Sequence, residues 1–235
     1  MSCEGCPSQG KCGKNSETCG IQSNPDNHIK NIITVMSGKG GVGKSSMSVN
    51  LAIQLARRGK RVVIFDADFG LANVEIMLGL HPQYNLADMM FRGKKLKDII
   101  MYGPENVGFI SGGSGIQELA NMTRTQVLDL IQKLVELDQF ADVIIVDTGA
   151  GISDTVLEFV AASEDVLLVA TPEPTSITDA YALLKTLNKR VSANPEKTVV
   201  KMIANQVHGN RDAKELFDKL GMVVSKFLDI KVEYI

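Results

Sequence analysis

Hydrophobic and polar positions alternate along this chain in two rhythms. Short, nearly continuous apolar runs recur at Ile32 to Met36, Arg61 to Asp66, Val107 to Ser111, Asp142 to Asp147, Asp165 to Ala170 and Thr198 to Ala204. Between them lie longer segments with apolar residues three and four apart, at Lys44 to Arg58, Thr125 to Leu137, Asp154 to Ala162, Ser176 to Lys189 and Arg211 to Leu220. The first rhythm predicts strands and the second amphipathic helices. Runs such as Val-Val-Ile-Phe and Val-Ile-Ile-Val have no polar alternation, so both faces of those strands must be covered. Strand and helix in alternation predict an α/β fold, a mostly parallel sheet with helices on both faces. Gly59 is a natural stop for the first helix, because glycine tolerates a left-handed cap. Ser176 with Asp179 three residues on is similar to a capping box at a helix start.

The segment before Asn31 breaks the pattern. All four cysteines, Cys3, Cys6, Cys12 and Cys19, fall there among Gly, Ser, Lys and Asn, with almost nothing apolar. Residues 1–29 therefore read as a cysteine-rich extension that hydrophobic burial cannot fold, and residues 30–235 as one domain. In a reducing compartment the spacing C-x2-C-x5-C-x6-C points to thiolate ligation of Zn²⁺ or an iron-sulfur cluster. A flexible tail with free thiols is the alternative, and a disulfide framework is the least favoured.

Charge excludes more than it suggests. With 25 basic and 27 acidic residues and no long run of either sign, the chain has no broad electrostatic footprint for nucleic acid. No apolar stretch reaches the length of a membrane span, and no leader-like segment opens the chain, so the expectation is a cytoplasmic protein.

The strongest chemistry sits between the first strand and the first helix, at Ser37-Gly-Lys-Gly-Gly-Val-Gly-Lys-Ser45. From Gly38 to Ser45 this is G-x-x-x-x-G-K-S in the strand-to-helix context that a phosphate-binding loop requires. Gly38, Gly40, Gly41, Val42 and Gly43 let successive backbone N–H groups face phosphate oxygens, and the helix adds its positive end. Lys44 is placed for the terminal phosphates, Ser45 for a nucleotide-bound Mg²⁺, and Ser46 for the innermost phosphate. Lys39 adds a second cation that is redundant within one subunit, which points to another subunit's nucleotide; an idle surface lysine is the alternative. Two strands end in aspartates, at Asp66-Ala-Asp68 and at Asp147, and ligands of parallel sheets sit at such ends. Asp147 fits the residue that holds a Mg²⁺-bound water, Asp68 one that orients the attacking water, and Asp66 an outer-shell metal support. Gly149, Gly151 and the residues around Gly70 read as segments that sense the γ-phosphate.

Gly-Lys-Gly-Gly-Val-Gly-Lys-Ser, Asp66-Ala-Asp-Phe-Gly-Leu-Ala-Asn-Val-Glu75 and Asp147-Thr-Gly-Ala-Gly151 together resemble the MinD/ParA group of deviant Walker A ATPases. Leu78-Gly-Leu80, Tyr84-Asn-Leu-Ala-Asp88, Gly151-Ile-Ser-Asp-Thr155 and Thr171-Pro-Glu-Pro-Thr-Ser-Ile-Thr-Asp-Ala-Tyr181 narrow the likeness to the FlhG (FleN) family, regulators of flagellar number and placement. The resemblance covers Asn31 to Ile235. It implies an ATP-dependent sandwich homodimer that engages a protein partner in its ATP-bound state. It makes Lys39 the lysine that crosses to the partner's nucleotide, Asp68 the hydrolytic aspartate, and Asn205 in Ile203-Ala-Asn-Gln-Val207 the adenine contact; an asparagine amide offers the donor and acceptor the adenine edge needs.

That family ends in a further strand region and a basic amphipathic membrane-targeting helix, whereas this chain stops at Ile235. The expectation is either a truncated chain or a member without that anchor. The start, Cys3-Glu-Gly-Cys-Pro-Ser-Gln-Gly-Lys-Cys12, resembles Mrp-type iron-sulfur carrier ATPases. An iron-sulfur carrier and a non-hydrolysing ATP-dependent regulator are the alternative functions. The carrier is opposed by the absence of any cysteine after Cys19.

Overall fold

A computed structural model describes residues 31–70, 73–113, 115–191 and 199–235. Cys3, Cys6, Cys12 and Cys19, with the metal site and the extension expected there, lie outside the described residues.

Eight strands form one sheet: β1 (Ile32–Met36), β2 (Val62–Ala67), β3 (Met101–Tyr102), β4 (Gly108–Ile110), β5 (Val143–Thr148), β6 (Asp165–Ala170), β7 (Val199–Ala204) and β8 (Lys231–Tyr234). Their order is β3-β4-β2-β5-β1-β6-β7-β8, parallel throughout except for the β3–β4 pair. β1 lies between β5 and β6, so the chain leaves the first strand at the point where strand order reverses. A crevice opens at such a point beyond the carboxyl ends of the strands.

Nine helices cover the sheet among the described residues: α1 (Lys44–Arg57), α2 (Val74–Leu78), α3 (Leu86–Arg92), α4 (Leu96–Ile99), α5 (Gln117–Ala120), α6 (Arg124–Leu134), α7 (Asp154–Ala162), α8 (Pro174–Val191) and α9 (Asn210–Phe227). The strands divide their side chains between two faces by simple alternation. Val63, Phe65, Ile144 and Val146 pack with helices α3 to α7, and Val166, Leu168, Val200 and Met202 with α7 to α9. Val62, Ile64, Ile145, Leu167 and Val169 enter the opposite layer beneath α1 and α2. Continuous apolar strands are thus buried on both sides, as their sequence requires.

Boundaries shift where local signals compete with packing. α1 ends as expected: Gly59 has φ +82°, and the N–H groups of Gly59 and Lys60 donate to Ala56 and Leu55 carbonyls, a Schellman closure. Ser176 does not cap α8. That helix starts two residues earlier at Pro174, whose fixed φ suits a first turn, and the Ser176 hydroxyl instead accepts the Thr171 N–H at 3.0 Å. The helix expected over Thr125 to Leu137 is α6 followed by a 3₁₀ turn over Val135–Gln139. α9 runs through Gly221 to Phe227, held by burial of Val224.

Candidate functional site

The crevice is built around the loop from β1 to α1. Gly41 and Gly43 lie in the left-handed region at φ +78° and +92°. Gly43 stands at the N-cap of α1 with no side-chain cap, so the first N–H groups of this 14-residue helix remain available to an anion. Gly38 is required by crowding, since a Cβ there would lie 2.3 Å from the Asp179 carbonyl carbon in α8. At Gly43 the left-handed backbone is the restriction, and a Cβ would also lie 2.3 Å from Asn205 Nδ2 at the end of its side chain.

Asp147, at the end of β5, is the hub. Its Oδ1 accepts Lys44 Nζ at 3.1 Å and Ser48 Oγ at 2.8 Å, and its Oδ2 accepts Ser45 Oγ at 2.6 Å. Asp147 and Lys44 are both buried, so their charges neutralise one another away from water. Ser48 was not expected here. The signal for it is positional: four residues after Lys44 it shares that residue's face of α1.

Asp66 is the register partner of Asp147 across β2 and β5. It is fully buried; Oδ1 accepts the Asp68 N–H at 3.0 Å, and Oδ2 has no hydrogen-bond partner. Burial, and secondarily the negative charges of Asp147 and Asp68, push its carboxyl up to about 7 against the opposing Asp68 N–H and Lys44. Asp68 accepts the Gly70 N–H at 3.2 Å. Gly149, after β5, lies against the Asp68 carboxylate: a Cβ built on it would sit 3.6 Å from Oδ1, in ordinary contact. The Gly151 N–H donates to the Ser37 carbonyl at 3.0 Å, joining the segment after β5 to the phosphate loop. The Thr148 hydroxyl donates to the Val35 carbonyl at 3.0 Å and fixes the same strand end.

The donor set suits Mg²⁺. Ser45 Oγ and Asp147 Oδ2 are hard oxygens already 2.6 Å apart, and Asp66 brings a further carboxylate to the neighbouring strand in register with Asp147.

Lys39 is turned away from this hub. Its ammonium ion-pairs with Glu173 and donates to Thr175 Oγ1 at 3.1 Å, at the start of α8. Ser46 is exposed on the first turn of α1. Asn205, at the end of β7, donates through Nδ2 to the Val42 carbonyl at 2.8 Å, and Gln206 donates to the Gly41 carbonyl at 3.2 Å. Gln206 has φ +55°, an uncommon conformation for a side chain of this kind. These two amides brace the loop from β7, an arrangement that sequence spacing does not disclose. The structure therefore brings Gly38 to Ser45, Asp66, Asp68, Asp147 and Asn205 to one end of the sheet, and leaves Lys39 at its rim.

Comparison with known proteins agrees with this geometry. The family model described as NUBPL iron-transfer P-loop NTPase (ParA) matches residues 28–227. The chain is 44% identical over 208 residues to the antiactivator FleN of Pseudomonas aeruginosa, covering 88% of this chain and 73% of that protein. It is 37% identical over 188 residues to the flagellum site-determining protein YlxH of Helicobacter pylori, covering 80% of this chain and 62% of that protein. Among solved structures it is similar to the cell division ATPase MinD of Pyrococcus furiosus, with TM-score 0.65 and 26% identity over 82% of this chain and 80% of that one.

Proposed function

The chain belongs to the MinD/ParA family of P-loop ATPases, and from that premise we propose that it is an ATP-switched dimer that hydrolyses ATP slowly and regulates flagellar number or placement. The observation that carries the nucleotide chemistry is the Asp147 carboxylate holding both Lys44 and Ser45 beside an uncapped helix start. The likeness to FleN and YlxH supports the flagellar setting.

In this reading the loop N–H groups and Lys44 bind the phosphates, Ser45 would ligate Mg²⁺ and Asp147 would hold a water bound to it. Mg²⁺ held there would supply neutralisation of phosphate charge and polarisation of the γ-phosphoryl group. Asp68 orients the attacking water. Phosphoryl transfer needs positioning and charge stabilisation more than covalent chemistry from the protein, and oriented donors around one carboxylate are suited to that. Asn205 faces the adenine with the amide oxygen that its bond to Val42 leaves over. Lys39 reaches the nucleotide of a second subunit. Its pair with Glu173 is half exposed, and such pairs contribute about 0–1 kcal/mol, so exchanging it for a phosphate is not costly.

Phosphate release by the purified chain, and its mass by light scattering with Mg-ATP and with ADP, test this reading. Lys44→Gln is expected to abolish nucleotide binding, and Asp68→Ala to bind ATP, stop phosphate release and accumulate as a dimer. A chain that stays monomeric in Mg-ATP at every concentration would sink the switch.

A further inference from the structure

We propose that Ser48 is a positioning residue that holds the Asp147 carboxylate in place when its other two partners leave for the nucleotide. The inference rests on the reading of Asp147 and Ser45 given above. Three donors converge on Asp147: Lys44 Nζ at 3.1 Å and Ser48 Oγ at 2.8 Å on Oδ1, and Ser45 Oγ at 2.6 Å on Oδ2. Two of the three have a second task. Lys44 turns to phosphate oxygens and Ser45 to Mg²⁺, and both movements withdraw a donor from Asp147.

Ser48 has no such alternative. It lies one helical turn deeper in α1, is fully buried, and among the described residues its hydroxyl meets the Asp147 carboxylate and, at 3.2 Å, the Lys44 carbonyl. A hydroxyl has a single hydrogen, and the shorter contact to an ionised carboxylate is the stronger acceptor. Asp147 is itself buried, at the end of a strand whose other residues are mostly buried. With Lys44 and Ser45 drawn away, the Ser48 hydroxyl is the donor left to Oδ1, and it keeps Oδ2 directed into the crevice. Without it, Asp147 is free to rotate about its side-chain bond, and the geometry that the metal requires must be fixed at the moment of binding.

Ser48 therefore matters for the loaded site more than for the empty one, and this separates positioning from plain packing. The test is binding of ADP, followed by a fluorescent analogue, across a Mg²⁺ titration and in EDTA, for the wild type, Ser48→Ala and Ser48→Thr. Thermal unfolding of each nucleotide-free protein checks the fold. Loss of a hydrogen bond to a charged group predicts that Ser48→Ala needs about tenfold more Mg²⁺ to reach half-saturation. Its affinity for ADP in EDTA should stay within about twofold of wild type, and Ser48→Thr should restore the Mg²⁺ requirement. A Ser48→Ala protein with wild-type Mg²⁺ dependence, or one weakened equally in EDTA, overturns the proposal. A wild-type chain that binds ADP equally with and without Mg²⁺ overturns instead the assignment of Ser45 and Asp147 on which it stands.

Discussion

Burial holds the Asp66 carboxyl at about 7 because one of its oxygens is sealed beneath the strand ends with no donor to meet it. An unfolded aspartate titrates near 4. Below that pH both states are protonated and Asp66 makes no difference. As pH rises toward 7 the unfolded chain releases the proton while the native chain keeps it, so the native state binds more protons and stability falls. The loss is complete above the folded value and amounts to about 4 kcal/mol at most. Replacing Asp66 with Asn keeps the acceptor for the Asp68 N–H and removes the ionisation. Denaturant unfolding of the nucleotide-free variant at pH 5 and pH 8 should show a gain over wild type that grows with pH; a constant difference would contradict it. Residues of this kind were only partly legible. Lys44, Ser45 and Asp147 follow from a loop motif and an apolar strand ending in acid. Ser48 and Gln206 do not, since their partners Asp147 and Gly41 stand 99 and 165 residues away in sequence. The i, i+4 spacing puts Ser48 on the Lys44 face of α1, but no local period tells which distant strand end or loop either residue will meet.

At the scale of elements, α6, α7 and α8 are joined through one buried carboxylate. Glu158 on α7 accepts Arg124 Nε of α6 at 2.8 Å and is paired with Arg190 of α8, which also reaches Asp154 at the start of α7. Its side chain is 8% exposed, while both arginines have access to water. Truncation to Ala strips Arg124 of its partner and Arg190 of one of two, and leaves both solvated, so the expected cost is about 1–2 kcal/mol, below that of stranding a buried charge. Chemical denaturation measures it, and Glu158→Gln should recover part of the loss. The long elements were readable because each buries a periodic face. The short ones, α2 to α5 between 74 and 120, are four to seven residues long and carry too few turns to show a period. Ser176 misled because its local pattern mimics a cap, whereas Pro174 starts the helix and Thr171 claims the hydroxyl.

For the molecule as a whole, the fold follows from strands that are apolar on both faces, and the crevice follows from strand order, with β1 between β5 and β6. Strand order was not legible, because pairing is decided by contacts far apart in sequence. The proposed dimer is a property of this scale. Lys39, held at the rim by Glu173 and Thr175, adds nothing to its own crevice, so Lys39→Ala should leave nucleotide affinity of the monomer within about twofold while weakening ATP-dependent dimerisation by about tenfold or more. Sedimentation of the variant in Mg-ATP and in ADP distinguishes the two effects. Unaltered dimerisation would return the lysine to an ordinary surface role.

The contact between Gly38 and α8 gives the phosphate loop a mechanical neighbour. The loop backbone lies where even a methyl group would collide with the Asp179 and Ala180 backbone, so a shift of the loop toward the helix has nowhere to go unless the helix moves. α8 spans 18 residues, about 27 Å, and meets the loop in its second turn, so the phosphate loop and this helix share one packing contact and a substitution at Gly38 is expected to disturb both.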